Sequence, residues 1–413
     1  MRTRAAIIAV FLVLAVAPVF EARAVEPGGN AFERTWSRTD QPVSSGTVSR
    51  TWMWGPGAFT GPMMETMVDA AGGSREVQYF DKSRMEITTS DDIDPDSIWY
   101  VTNGLLATEL VTGRLQLGLD EFEDRSPADI NAAGDENDPN APTYATFTDL
   151  RDEPAFEQDA ILTTRVSRDG TLSDDPDLAG FDARAVELVP ETGHRVASPF
   201  WDFMNSSGAV NEGGSRADAA LFPNPYYATG FPITEAYWTT VALNGEPTDV
   251  LIQVFERRVL TYTPGNEDGW RVEAGNVGRH YFNWRYGVSA PSEPPGAIDG
   301  AQLLGPTPAP GAEENGGRVT LAIANHAPSP LSVTVDGPQS RTIELPGCPD
   351  CQVTPEPPTS CSANAPTETF EVDQGNYRIT SRRPDDNVTP LSGVWTFLPG
   401  SSYGACFFII DND

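Results

Sequence analysis

One sequence pattern occurs twice in this chain, and that repetition constrains the fold more than any other feature. The pattern reads VQYFDKSRMEI at residues 77–87 and IQVFERRVLTY at residues 252–262. The two stretches match without a gap at a glutamine and a phenylalanine: Gln78 with Gln253, and Phe80 with Phe255. Because segments that share a pattern are expected to fold alike, the sequence predicts two related modules.

The match extends outward when short gaps are allowed. PMME at residues 62–65 aligns with PITE at residues 232–235, and two later positions match singly: Trp99 with Trp270, and Gly104 with Gly275. An active site rarely needs two divergent copies. A repeated unit therefore favours a structural or adhesive role over a reaction centre.

The N-terminus has the features of a signal peptide. Arg2 and Arg4 precede an apolar run at residues 5–20, and Ala22-Arg23-Ala24 matches the small-x-small pattern of a cleavage site. We expect cleavage after Ala24 and export of the mature chain to the cell envelope or the medium. The alternative is an uncleaved membrane anchor, but the run is short for a bilayer span. No membrane insertion is expected after cleavage.

The charge balance excludes two classes of partner. The 413 residues include 27 Lys and Arg against 59 Asp and Glu, which leaves a net charge of −32. A surface this acidic repels phosphate backbones and anionic lipid headgroups. Neither nucleic acid nor an anionic membrane is therefore an expected partner.

The predicted fold class is β-rich α+β, with two related small α+β modules followed by a C-terminal antiparallel β-sandwich. A chain of this length fits two to three domains. The predicted divisions follow the repeat and the changes in composition: signal peptide 1–24, first module copy 31–119, acidic connection with short helices 120–184, second module copy 185–287, Pro/Gly-rich linker 288–317 and β-sandwich 318–413.

All four cysteines lie in the predicted sandwich: Cys348, Cys351, Cys361 and Cys406. In a cytosolic protein, Cys348-Pro-Asp-Cys351 could bind zinc or act in redox chemistry. In an exported chain, an even number of cysteines within one small domain indicates disulfides. We expect one bridge within the 348–361 loop and one from that loop to Cys406, although the sequence leaves the pairing open.

Three elements of the second copy carry a resemblance: PETGHRV at residues 190–196, GFPITE at 230–235 and VFERR at 254–258. Their succession resembles an uncharacterised module of exported bacterial proteins and, more distantly, the LGFP-type repeat of cell-envelope proteins. The first copy has Asp81-Lys82 in place of Glu-Arg and lacks the histidine. The resemblance implies association with the cell envelope through cell-wall polymer, and it brings no catalytic residue or cofactor.

The sequence contains no recognisable catalytic or metal-binding constellation. Its three histidines, His194, His280 and His326, form no metal-ligand pair, and no Gly-x-Ser-x-Gly elbow occurs. We therefore predict a non-enzymatic protein without a metal or cofactor. An alternative is a glycan-active hydrolase that uses a pair of buried carboxylates. Its candidate acids lie in apolar surroundings: Glu65, Glu86, Glu235 and Glu256.

Aromatic residues are the stronger functional signal, because exposed aromatic rings can stack on sugars. The candidate ligand-binding residues are four aromatic side chains and one histidine: Trp52, Trp54, Tyr237, Trp238 and His194. The alternative is that each belongs to a hydrophobic core. The leading hypothesis is an exported binding or scaffolding protein whose partner is cell-wall polysaccharide or another envelope protein. A third hypothesis is a protein–protein interaction module.

Overall fold

The structure, a computed structural model, describes residues 29–87, 93–291, 301–308, 318–352, 362–383 and 391–409. The predicted signal peptide, its cleavage site and Cys361 lie outside these ranges. Within them, no helix is both long enough and apolar enough to cross a bilayer. About 39% of the described residues are in strands and about 17% are in helices, so the predicted β-rich α+β class is confirmed.

The first module begins with two helices and continues as an antiparallel sheet. Its sheet has the strand order β1-β2-β3-β4, and a helix follows the last strand. In chain order the elements are α1 Gly29–Thr39, α2 Gln41–Ser44, β1 Met63–Thr66, β2 Ser74–Phe80, β3 Ser83–Ile87, β4 Val101–Asn103 and α3 Leu106–Thr112, with short 3-10 turns at Ala71–Gly73 and Ile98–Tyr100.

The connection between the modules contains strands that the sequence did not predict. Its elements are β5 Arg114–Gln116, β6 Phe122–Asp124, β7 Thr164–Val166 and β8 Leu172–Asp174, with 3-10 turns at Ala145–Phe147, Asp149–Asp152 and Pro176–Phe181. The short helices predicted for the connection are thus only 3-10 turns: two of them lie within residues 145–152, and residues 155–162 contain no helix. Strands β7 and β8 extend the sheet of the second module.

The second module is larger. Its elements are β9 Ala185–Val189, β10 His194–Ala197, α4 Ser198–Met204, β11 Ser207–Glu212, β12 Ser215–Ala220, β13 Tyr237–Leu243, β14 Glu246–Val254, β15 Val259–Tyr262, β16 Val272–Ala274 and α5 Val277–Tyr286. The main sheet has the order β16-β15-β14-β13-β7-β8. The predicted β13–β14 hairpin turns at Asn244 and Gly245, which both have positive φ, as an Asn-Gly turn requires.

The same hydrogen bonds recur in the two sheets. The Gln78 amide donates to the Thr60 carbonyl at 2.9 Å, and the Gln253 amide donates to the Thr234 carbonyl at 3.0 Å. The hydroxyl of each threonine accepts the N–H of the residue after the glutamine. A glycine also precedes the helix that follows each sheet, α3 or α5. The Gly104 N–H donates to the Arg84 carbonyl in β3, and the Gly275 N–H donates to the Val259 carbonyl in β15. The repeated pattern therefore marks equivalent local structures.

These contacts correct one part of the sequence alignment. Thr60 occupies the position of Thr234, so PMME at residues 62–65 is not equivalent to PITE at residues 232–235. The strand pairing agrees with this correction. Val77 and Ile252 are equivalent in the repeat, yet Val77 pairs with Met63, whereas Ile252 pairs with Tyr237. Glu65 and Glu235 therefore occupy different positions in the two modules.

The two modules interlock through their helices. In α3 the Thr108 N–H donates to the Glu256 carbonyl at 3.0 Å, and in α5 the Gly278 N–H donates to the Asp81 carbonyl at 3.1 Å. Each helix thus begins on the hairpin turn of the other module. One buried core also takes residues from both modules, including Phe59, Tyr79, Leu110, Ile252, Tyr281 and Phe282. The modules form one packed unit.

The C-terminal region is the predicted β-sandwich. Its strands are β17 Ala301–Pro308, β18 Val319–Asn325, β19 Leu331–Asp336, β20 Ser340–Leu345, β21 Thr367–Val372, β22 Gly375–Arg382, β23 Leu391–Phe397 and β24 Ser401–Phe407. They form sheets of order β17-β24-β18-β21 and β20-β19-β22-β23, whose inner faces share one core. The pairing is antiparallel except between β18 and β24. Strand β17 lies within the predicted linker 288–317 and was not predicted.

The cysteines of the sandwich are oxidised where the structure describes them. Cys348 and Cys351 form a disulfide with Cα atoms 5.3 Å apart, which confirms a bridge within the predicted loop. Cys406 is also disulfide-bonded. Among the described cysteines none is free, so the thiols of the Cys-Pro-Asp-Cys segment are not available to a zinc ion.

Candidate functional site

His194 and Glu235, the most distinctive residues of the second-copy motifs, are buried together. The Glu235 carboxylate accepts the N–H of Arg195 at 2.8 Å and that of Phe156 at 3.2 Å, and it lies 3.2 Å from His194 Nδ1. The other ring nitrogen faces the Arg151 carbonyl at 3.1 Å. His194 is 3% exposed and Glu235 is 1% exposed. This pair joins β10 to the segment before β13 and leaves no surface for a ligand.

Gln253 has a similar structural role. Its side-chain amide donates to the Arg195 and Thr234 carbonyls, and its side-chain oxygen accepts the Ala197 N–H at 3.1 Å. Because buried backbone groups need partners, one fully buried glutamine here satisfies three of them. Gln253 therefore holds the fold together, as do the motif residues His194 and Glu235.

The other two histidines lie apart from this pair. The aromatic residues that follow His280 favour a strand, but His280 lies in α5, where its Nδ1 is 2.9 Å from the Tyr144 hydroxyl. Burial lowers the pKa of His280 to about 4. The ring of His326, in the sandwich, accepts the Ser362 N–H. No group of three or more histidines, cysteines or acids within the described ranges is arranged to hold a metal ion.

Two candidate acids of the hydrolase hypothesis are held in a buried ionic network. Arg84, which is fully buried, binds the Glu65 carboxylate at 2.8 Å and that of Glu86 at 2.9 Å. Arg75 pairs with Glu86 at 2.6 Å, and Arg285 lies 3.5 Å from Glu65. Burial alone raises the pKa of Glu65, but the two arginines beside it outweigh burial and lower the pKa to about 2.

Tyrosines complete this network. Tyr79 and Tyr286 each donate to Glu65 at 2.6 Å, and Tyr281 donates to Glu109 at 2.6 Å. Burial raises the pKa of Glu109. A glycosidase needs two acids facing an open cleft, one of them free to donate a proton to the substrate. Here the carboxylates face arginines and tyrosines within a packed interior, as expected of a structural ion cluster.

Glu256, the remaining candidate acid, belongs to a turn. Its carboxylate accepts the Phe231 N–H at 2.9 Å, and its side chain lies against Gly230, where a Cβ would come within 2.6 Å of Oε2. Gly230 has φ +68°, so this close approach requires glycine. Glu256 is therefore placed to hold the Gly-Phe-Pro turn against the sheet.

The five predicted ligand-binding residues are not brought together at one surface. Trp54, Tyr237 and Trp238 are at most 2% exposed, and only Trp52 is half-buried. The Trp238 indole N–H donates to the Leu162 carbonyl at 2.8 Å. In a strand, alternation would place Trp52 and Trp54 on one face and Met53 on the other. This segment is not a strand, and Met53 is buried too.

One of these residues, Trp54, lines a cavity of about 620 Å³. The walls come from α1, from residues 53–54 and 96–98, from the tip of the β11–β12 hairpin and from residues 221–228. A volume of this size is typical of small-molecule binding sites. Segments of both modules contribute, since α1 and Trp54 belong to the first and the hairpin belongs to the second.

The cavity has apolar walls and a charged rim. Apolar and aromatic side chains of the wall are Met53, Trp54, Ile98, Leu221, Phe222 and Tyr227. At the rim, Arg34 pairs with Asp96 at 3.4 Å, and Arg38 pairs with Glu212 at 3.3 Å. Arg38 also donates to the Ala220 and Leu221 carbonyls at 2.9 Å. This arginine therefore ties α1 to the hairpin on the opposite wall.

Three polar atoms of the lining residues have no hydrogen-bond partner in the described structure although they are shielded from solvent: Thr39 Oγ1, Trp54 Nε1 and Asn211 Oδ1. Trp54 is 2% exposed and Thr39 is 6% exposed. Buried polar atoms are nearly always paired in folded proteins. The three atoms have almost no accessible surface, and eight further unpaired side-chain atoms belong to residues that do not line the cavity. The volume and the apolar walls of the cavity, rather than these atoms, therefore make it the candidate functional site. Sequence reasoning missed Thr39 and Asn211, which lie in no motif.

The chain matches no protein-family model, no curated protein and no solved structure.

Proposed function

We propose that this protein is an exported, cell-envelope-associated binding protein whose cavity between the two modules holds part of a cell-wall glycan. The observation that carries the proposal is the cavity of about 620 Å³ that segments of both modules line, with its apolar walls and charged rim. A concave site of this volume with mostly apolar walls and a few polar groups is the usual form of a ligand pocket.

The surroundings of the acids favour binding over hydrolysis. Glu65 and Glu86 are ion-paired to buried arginines, and Glu235 accepts two backbone N–H groups. None of these carboxylates lines the cavity. The cavity has acids of its own, Glu33, Asp96 and Glu212, but two of them are paired with arginines at the rim. The described cavity wall therefore lacks a buried carboxylic acid that could donate a proton to a substrate.

Export and the envelope location are supported by the signal-peptide pattern and by the oxidised cysteines. The Cys348–Cys351 disulfide is of a kind that persists in oxidising compartments and is rare in the cytosol. A scaffolding contribution from the sandwich is compatible with this proposal, since the cavity lies wholly within the paired modules.

The test is co-sedimentation of the purified mature chain with isolated cell walls and with purified wall polysaccharide. Ser37→Trp introduces a bulky ring at a half-buried residue of the cavity wall and should reduce binding. Ser340→Trp adds the same ring to an exposed strand of the sandwich and should leave binding unchanged. Failure of the wild-type chain to sediment with either preparation would exclude the glycan ligand.

A further inference from the structure

We infer that Lys82 and Asn276 form an intramolecular amide bond that joins the two modules covalently, with Glu273 as the proton carrier. The Lys82 amine lies 2.8 Å from the side-chain oxygen of Asn276. Lys82 lies in the turn between β2 and β3 of the first module, and Asn276 directly precedes α5 of the second, 194 residues later. This modification site lies outside the cavity and does not depend on the proposed function.

Backbone contacts hold the amine and the carboxamide against each other. The Lys82 N–H donates to the Trp54 carbonyl at 3.0 Å, and the Gly278 N–H donates to the Asp81 carbonyl at 3.1 Å. The side chains of Asp81 and Arg279 pair at 2.7 Å. Two groups that the fold holds in contact can react without the entropy cost of an encounter.

Asn276 has the position of a helix cap but does not act as one. Asparagine directly before a helix usually accepts an N–H of the first turn through its side chain. In α5, which lies wholly within the described range 93–291, the Asn276 side chain accepts no such N–H. Its oxygen accepts the Lys82 amine instead. The carboxamide is therefore committed to the lysine rather than to the helix.

The equivalent contact in the opposite direction, where α3 begins on the turn of the second module, lacks this chemistry. The repeat aligns each of the three residues with a residue of another type: Lys82 with Arg257, Glu273 with Thr102 and Asn276 with Leu105. A guanidinium stays protonated and cannot attack an amide. Since that contact forms without an amine, a carboxyl or a carboxamide, packing of helix on turn does not require them. Lys82 is also the only lysine in the chain.

The surroundings favour the protonation states that the reaction needs. An amine attacks a carbonyl carbon only when it is neutral. Burial lowers the pKa of the Lys82 amine, and the negative charges of Asp81 and Glu273 oppose this shift. Burial raises the pKa of the Glu273 carboxyl, and the charge of Lys82 opposes it. Both shifts favour the uncharged forms, an amine that can attack and an acid that can donate a proton.

The reaction needs no other reactant. The neutral Lys82 Nζ attacks Cγ of Asn276, and the Nζ–Cγ bond forms. Glu273 donates its proton to Nδ2 of Asn276 and takes one proton from Nζ, and the Cγ–Nδ2 bond breaks. The products are a secondary amide and ammonia, and no atom is oxidised or reduced. Lys82 and Glu273 are half-buried, whereas Asn276 is exposed, so the ammonia can leave into solvent.

The experiment is mass spectrometry of the full mature chain after reduction of its disulfides. The wild-type mass should fall short of the mass calculated from the sequence by one molecule of ammonia. Trypsin should release residues 76–84, uncut after Lys82, joined to residues 272–279. Because the chain has one lysine, an amine-reactive label should then modify the N-terminus alone.

Three variants remove one reacting group each. Lys82→Arg keeps the positive charge and a donor toward Asn276, Glu273→Gln removes the acid, and Asn276→Leu introduces the residue type of the equivalent position in the first module. Each should have its full calculated mass. Each should also migrate differently from the wild type in a reducing denaturing gel, because the cross-link closes a long loop between residues 194 positions apart. Circular dichroism spectra like that of the wild type would show that the variants fold.

Asn244→Asp is the control, because Asn244 precedes a glycine and could lose ammonia by cyclising onto its own backbone. The substitution keeps a residue that favours this turn, and the variant should cross-link like the wild type. The joined peptide in the wild type and its absence from all three variants would support the inference. A wild-type chain of full mass with a labelled Lys82, or a loss of ammonia without the joined peptide, would overturn it. Wild-type cross-linking in Glu273→Gln would overturn the role of Glu273.

Discussion

Gly278 tests how tightly the two modules interlock. It lies in the first turn of α5, against the turn between β2 and β3 of the other module. A Cβ at this position would lie 1.9 Å from the Phe80 carbonyl oxygen, 2.6 Å from the Ser83 carbonyl oxygen and 2.8 Å from the Ser83 nitrogen. All three are backbone atoms, so no side chain can rotate away to make room.

We expect Gly278→Ala to destabilise the protein, although alanine has a higher helix propensity than glycine. In an unconstrained helix, replacing glycine by alanine stabilises by about 1 kcal/mol. Here α5 would have to move by roughly 1.5 Å to restore ordinary contact with the Phe80 oxygen. That movement disrupts the Gly278–Asp81 hydrogen bond of 3.1 Å and the Arg279–Asp81 ion pair of 2.7 Å. With overpacking and one lost hydrogen bond, we expect a net loss of about 2–4 kcal/mol.

Urea denaturation followed by tryptophan fluorescence measures the free energy of unfolding. Gly61→Ala is the matched control, because Gly61 has no positive φ and a Cβ there meets nothing within 4 Å. Its stability should change by less than about 0.5 kcal/mol. A Gly278→Ala protein as stable as wild type, or more stable, would refute the close packing of α5 on the first module.

Three further predictions follow from the buried network and the disulfides. Arg84→Met should destabilise the fold by about 3–5 kcal/mol in the same assay, because Glu65 and Glu86 lose their shared buried partner. Arg341→Met, whose partner Glu368 is at the surface, should cost less than about 1 kcal/mol. The pKa of Glu65 is lowered from 4.5 to about 2 in the folded protein, so its stabilisation is complete above pH 4.5 and is lost as the pH falls toward 2. Glu65→Gln should flatten the dependence of melting temperature on pH in that window; an unchanged slope would contradict the assignment. Alkylation under non-reducing conditions should label none of the four cysteines, and one labelled thiol in mass mapping would disprove the disulfides.

The sequence predicted those helices, strands and turns whose position is determined by neighbouring residues. The β13–β14 hairpin follows from Asn244-Gly245, and α4 begins at the predicted Ser198-Pro199. Strands of the sandwich lie where alternating residues predicted them, as in Leu331–Asp336 with its alternating burial. In each case neighbouring residues alone decide the backbone conformation. Strand β17 was missed because its sequence, AQLLGPTP, has no alternating strand pattern and contains a glycine and two prolines. It is held by pairing with β24.

Residues whose roles depend on distant partners were predicted less well. The PMME and PITE stretches each contain a proline three residues before a glutamate, and this likeness outweighed the true match of Thr60 with Thr234. Glu65 lies in a strand and binds arginines, whereas Glu235 precedes a strand and accepts backbone N–H groups. Sequence spacing cannot separate these roles, because the partners lie in other segments. For the same reason, an aromatic residue in a motif could not be assigned to the core or to the surface.

The cavity lies where segments of the two modules meet. Thr39 and Trp54 come from the first module, whereas Asn211 comes from a hairpin of the second that has no strand counterpart between α1 and β1. The helices fix the modules against each other, since each begins on the hairpin turn of the other. Neither module alone could enclose the cavity. The modules therefore differ in the segments that line the cavity and agree at the hydrogen bonds that Gln78 and Gln253 donate.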